Sequence, residues 1–131
     1  MSFDFYGGIV ALNLLTSAEY KSPQPQAEAV AEAIIRHQDL GAKGTITLLG
    51  QVLQLATVYD NVGTRPYLVH DATRDDVTRA FPRGGWGGCF AAIIREEVRT
   101  KPWAHSTHIG GVDGEIFANG LEGNVLMQGY E

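Results

Sequence analysis

Apolar residues return at intervals of three and four along most of this chain, and that spacing limits the folds open to it. Phe5, Ile9, Leu12 and Leu15 form one such series, Ile46, Leu49, Leu53 and Ala56 a second, and Phe90, Ile93, Ile94 and Val98 a third. A helix turns once every 3.6 residues, so each series gathers on one face and asks to be buried against another helix. The spacing predicts an all-α fold. With 131 residues the chain has room for one domain with a true core, spanning residues 1–131, and for no second one.

Breakers divide the helices. The first runs from about Phe5 to Leu15, and its Gly7-Gly8 pair costs helix propensity, which points to close approach of another backbone. "KSPQPQ" at 21–26 is a turn whose prolines also set up the next helix, rich in Ala and Glu from Ala27 to Gln38. Gly41 and Gly44 bracket a short loop, after which Thr45 is placed to cap a helix reaching Tyr59. "DNVGTRP" ends that helix. Asp71 or Thr73 caps a short one to about Ala80, closed by Pro82, and "RGGWGG" turns the chain into a helix from Cys89 to Val98. Beyond Lys101-Pro102 the sequence is Gly-rich and weakly patterned, an irregular tail expected to wrap over the helices. There is no internal repeat, low-complexity stretch or domain linker.

Charge narrows the function. The balance of 10 Lys+Arg against 15 Asp+Glu gives a net charge of −5, a surface that repels nucleic-acid phosphates and anionic lipid. Cys89 is the single cysteine, so no internal disulfide forms and a reducing, cytoplasmic setting is expected. Apolar runs such as Ile9–Leu12 fall far short of the roughly twenty residues a bilayer span needs.

Two polar residues stand where the helical spacing calls for apolar ones. His37 lies three after Ile34 and seven after Val30, on the same stripe. A hydrogen-bonded core histidine, or one favoured at a helix C-terminus by the dipole, is the plainer account of it taken alone. Asp60 comes four after Ala56 and seven after Leu53, at the end of its helix. The dipole there repels a carboxylate, and burial without a partner costs several kcal/mol, roughly, so a positive group should compensate it. An arginine, a lysine or a divalent metal would serve, and a solvated turn with Asn61 is the plainer alternative.

An imidazole and a carboxylate are ligand types that zinc or iron takes within a helical bundle, but a zinc site usually needs three protein ligands. The remaining candidates are poor. His105 and His108 in "KPWAHSTH" share a face only if helical, and Pro102 and Gly110-Gly111 oppose that. His70 reads as a surface residue at a helix start, and Cys89 as a core residue. Arg36, Arg65, Arg83, Arg95 and Arg99 are scattered and read as solvated. The chain carries no phosphate-binding loop, no nucleophile elbow and no C-x-x-C.

"FDFYGGIVALNLL", "EAVAEAIIRHQDLG", "GQVLQLATVYDNVG", "FPRGGWGGCFAAIIREE", "KPWAHSTH" and "GNVLMQGYE" resemble, in that order, the fungal cyanamide hydratases of the HD-domain superfamily. The resemblance runs over nearly the whole chain, with "RHQDLG", "LATVYDNVG" and "KPWAH" its most specific motifs. It implies an HD-like helical bundle holding zinc through a histidine, a His-Asp doublet and a later aspartate matching Asp60. It implies that His37 lies beside the metal and shuttles protons as water adds to the nitrile of cyanamide, giving urea. Lys101 and His105 would close or line the pocket. The early histidine and the doublet precede the segment matching "FDFYGG" in that family, whereas only Met1 and Ser2 precede it here, and His70-Asp71 falls after Asp60. The expectation is thus a C-terminal portion of such a domain, N-terminally incomplete and impaired as a hydro-lyase. The rival readings are a non-catalytic remnant that associates with proteins, its own copies in a homo-oligomer included, and a metal-dependent phosphohydrolase.

Overall fold

The computed structural model describes residues 1–39 and 44–131; the loop expected at Gly41 falls outside them. Among the described residues there are six α-helices and no strand. They are α1 (Phe3–Leu15), α2 (Gln24–Ile35), α3 (Leu48–Val62), α4 (Asp71–Ala80), α5 (Trp86–Thr100) and α6 (Gly114–Glu122), with short 3₁₀ turns at Pro66–Leu68, His105–Gly111 and Gln128–Tyr130.

Helices α1 and α2 pack tightly because of the glycine pair. A Cβ on Gly8 would stand 2.6 Å from the Ile35 side chain and 3.1 Å from the carbonyl oxygen of Ala31, so only glycine lets the two backbones come so near. The buried residues of α1 are therefore Asp4 and Gly8, not the expected stripe, and Phe5 and Ile9 face outward. A helix apolar on nearly every side gives its spacing no face to select.

The central core lies between α5, α6 and the His105–Gly111 turn that joins them. Phe90, Ala91 and Ile94 of α5 meet Phe117, Ala118 and Leu121 of α6 over Ile109, with Phe3, Val62 and Val98 packed around. Phe90 organises the aromatics: Trp86 stacks on it at 4.9 Å, and Phe3 and Phe117 meet it edge-on at 5.8 and 6.2 Å. Helix α6 is a correction to the irregular tail expected from the sequence. Its glycines hid it, and one is required by packing: a Cβ on Gly114 would come within 2.7 Å of the Ser106 carbonyl oxygen.

Other expectations shift as well. Thr47, not Thr45, caps α3, its hydroxyl accepting from the Gly50 N–H at 3.1 Å. His70 caps α4 instead of Asp71 or Thr73, its Nδ1 accepting from the Ala72 N–H. Helix α5 begins three residues earlier than Cys89, which is exposed rather than in the core. Arg83 and Arg95 are not free in solvent. Arg95 joins α5 to α6 through Glu115, Asn119 and Glu122, and Arg83 is taken up below. No helix among the described residues is long and apolar enough to cross a membrane.

Candidate functional site

Helix α2 stops at Ile35, and the next turn carries His37 outward from its end. What fixes that turn is α3. The buried Gln54 amide donates to the carbonyl oxygens of Arg36, at 2.8 Å, and Asp39, at 2.7 Å. The Thr57 hydroxyl lies 2.9 Å from the carbonyl oxygen of His37, which it can bond, and 2.8 Å from that of Leu53. Side chains of one helix thus satisfy the carbonyls left open at the end of another.

Within this turn the imidazole of His37 has both nitrogens engaged. Nδ1 is 2.5 Å from the Ile34 carbonyl oxygen, an acceptor, so Nδ1 carries the proton. Nε2 then bears the lone pair in the neutral ring and faces the Gln38 amide nitrogen at 2.9 Å. Phe3 meets the ring edge-on at 6.2 Å.

Asp60 lies in the last turn of α3, and the positive group its place demands is Arg83, bonded to its carboxylate. Only 5% of the Arg83 side chain is exposed, against 43% for Asp60. Arg83 also donates through Nε to Glu131 at 2.9 Å, and Glu131 accepts from the Gly87 N–H at the start of α5. Next to Asp60, Asn61 accepts from the Trp86 indole N–H at 2.9 Å.

His37 and Asp60 do converge. Both line a cavity of about 440 Å³, with Gln38, Thr57, Asn61, Trp86 and Phe90 among its other walls. The expected apolar stripe of α3 is rotated, however: Gln54, Val58, Tyr59 and Asn61 are buried, and Leu49 and Ala56 are exposed. The buried positions are taken by amides because the backbone at the end of α2 and the Trp86 indole need hydrogen-bond partners there. Neither Gln54 nor Thr57 stands out in the sequence as a functional residue; the signal available was a glutamine on a helix face facing a helix terminus.

Lys101 and His105 lie elsewhere, outside the residues that line this cavity. Lys101 donates to Glu97 at 2.9 Å and to the Met1 carbonyl oxygen at 3.0 Å. His105 sits between two carboxylates, Nδ1 bonded to Asp4 and Nε2 3.2 Å from Asp39, while its backbone N–H donates to the Ser2 hydroxyl at 2.7 Å. Burial works to lower the His105 pKa, but the bonds and charges of Asp4 and Asp39 outweigh it and hold the value above the usual histidine range. His70 and His108 are exposed.

The described residues do not fit a metal centre by themselves. They contain no group of three or more His, Cys, Asp or Glu placed to hold an ion. In the cavity only His37 and Asp60 are donors of that kind, and each is occupied, one by an amide and the other by a guanidinium.

An all-α chain with an imidazole and a carboxylate facing one small cavity is the setting in which its relatives become informative. No family model matches the chain. Two proteins of Saccharomyces cerevisiae, cyanamide hydratase DDI2 and cyanamide hydratase DDI3, are each 46% identical to it over 110 residues, or 84% of this chain and 48% of theirs. Identity at that level over most of the chain shows common descent with the cyanamide hydratases. The chain spans about half the length of the curated relatives it matches.

Two outcomes follow from this geometry. Gln54→Leu should lower unfolding stability by about 1–3 kcal/mol in urea denaturation, since buried carbonyls lose their donor, and should move the His37 ring resonances. For His105, a raised pKa stabilises the fold fully below the ordinary value of about 6.5, and that contribution fades as pH rises through the raised value. The stability gap between wild type and His105→Gln should therefore be widest in mild acid and narrow as pH rises past neutrality, measured by denaturation at a series of pH values.

Proposed function

We propose that the chain is a hydro-lyase of the cyanamide hydratase type, belonging to the HD-domain superfamily, acting in the cytoplasm and hydrating the nitrile of cyanamide to urea. The observation that carries this is the shared cavity: His37 and Asp60 line it together, in a chain 46% identical to proteins named for that reaction. In the hydration, water oxygen bonds to the nitrile carbon, one C–N π bond breaks, and the nitrile nitrogen takes up a proton. The resulting isourea becomes urea when the hydroxyl proton moves to nitrogen. His37 suits the proton work: its Nδ1–H is held by the Ile34 carbonyl oxygen, and Nε2, now accepting from the Gln38 amide, would exchange that bond for a proton from the reactants.

The resemblance adds a zinc ion, with Asp60 as one ligand. The described residues supply too few donors for it, and Arg83 already holds Asp60, so we propose that activity in this polypeptide is impaired. The test is urea release from cyanamide, with and without added zinc, beside the yeast relative DDI2. Slow urea formation, well below that of DDI2 and lost in His37→Ala, is the expected result. No protein-dependent urea would overturn the reading, and phosphate release from nucleotides would replace it with a phosphohydrolase.

A second reading, a non-catalytic association protein, is favoured by exposed apolar side chains on two helices: Tyr6, Ile9, Val10 and Leu14 of α1, and Leu48, Leu49 and Val52 of α3. Its discriminating measurement is light scattering, where a stable monomer would remove it.

A further inference from the structure

The turn that carries His37 is held on two sides. From α3, Gln54 and Thr57 reach its backbone carbonyl oxygens. On the other side the Asp39 carboxylate lies 3.2 Å from Nε2 of His105, which belongs to the turn between α5 and α6.

His105 is itself anchored at the start of α1. Its Nδ1 bonds Asp4, its backbone N–H donates to the Ser2 hydroxyl at 2.7 Å, and the Phe5 ring packs 5.6 Å from the imidazole. A carboxylate only accepts, so a ring that meets one at each nitrogen carries both protons. The same two acids keep it protonated to a higher pH than a free histidine. They are the ionisable groups that act on it: Lys101 and Glu97, at the end of α5, bond to each other, and His108 is exposed.

When the ring gives up a proton, one of the two bonds goes, and burial decides which. The Asp4 side chain is 6% exposed and has no water to replace a lost donor, whereas Asp39 is 37% exposed and does. The proton therefore leaves Nε2, and Asp39 is the acid released. Gln54 and Thr57 still hold the backbone, so the turn loosens without unfolding.

We infer that His105 is a positioning residue for His37: its charged ring clamps Asp39, and with it the turn that aims the His37 imidazole, and loss of the Nε2 proton opens the clamp. Its use in the reaction rests on the reading of the chain as a hydro-lyase. The clamp itself is a property of the fold and is read without turnover.

Nuclear magnetic resonance on the isotopically labelled chain, across a pH series, tests this. In wild type the Asp39 carboxyl carbon should step at the midpoint of the His105 ring, and the Asp4 carboxyl carbon should not. The Asp39 amide donates to the Arg36 carbonyl oxygen at 3.0 Å. Its protection against hydrogen exchange, corrected for the intrinsic effect of pH, should fall about tenfold through that midpoint. In Asp39→Ala that protection should be low at every pH. The His37 ring signals of wild type and Asp39→Ala should differ below the midpoint and coincide above it, where a merely structural side chain would leave a constant difference. His105→Gln should match Asp39→Ala; if it does not fold, Asp39→Ala, which leaves Asp4 its partner, decides. A step at Asp4 in place of Asp39, a His37 difference independent of pH, or protection that ignores the His105 midpoint would overturn the inference. Urea formed without this coupling removes the clamp and leaves the hydro-lyase reading standing. The coupling without urea does the reverse.

Discussion

The end of helix α2 is held by side chains of α3, and the candidate site exists because of that junction. A helix terminus presents carbonyls that must find donors, and water normally supplies them. Here Gln54 donates to the carbonyl oxygens of Arg36 and Asp39, and the Thr57 hydroxyl lies within reach of that of His37. The turn is thereby given a fixed conformation, and the imidazole on it a fixed direction. Without those donors the turn would be solvated and the ring free to rotate, and a proton-transfer group without a fixed place does little.

The opposite wall is held by charge. Asp60, Arg83 and Glu131 form a run that ends on the backbone N–H of Gly87 at the start of α5. Each step suits its partner: the guanidinium neutralises a carboxylate that the α3 dipole disfavours, and Glu131 sits where the α5 dipole welcomes a negative group. The Trp86 indole bonded to Asn61 adds a neutral tie between the same two helices. A cavity bounded by α2, α3 and α5 results, with polar atoms confined to places where the fold itself put them.

How much of this could be read from the residues depended on which force governed each element. Helix spacing reported Phe90 and Ile94 of α5, which burial drives inward, but not Ile93, which is 54% exposed. It failed on α3, where hydrogen-bond demand rotated Gln54 and Asn61 into the interior, a demand that only tertiary structure creates. It missed α6 because Gly114, Gly120 and Gly123 lower helix propensity, although the close contact at Ser106 is the reason Gly114 is there. The anomaly of Asp60 was legible as a need for a cation. That the cation is Arg83, 23 places along the chain from Asp60 and buried, was not, since an isolated arginine in a loop carries no mark of its partner.

His37 and His105 show how one side chain is given two uses by its neighbours. His105 meets carboxylates at both nitrogens, so both must donate, and the ring is held as a cation that ties Ser2 and Asp4 to the turn at Asp39. His37 meets an oxygen on one side and an amide N–H on the other, so one nitrogen donates and one accepts. A ring fixed as a cation by two acids has no lone pair to offer a reactant. In the neutral His37 ring the lone pair is on Nε2, where it accepts from the Gln38 amide at the cavity. Of the two histidines the resemblance brought forward, His37 lines the cavity and His105 is tied into the fold.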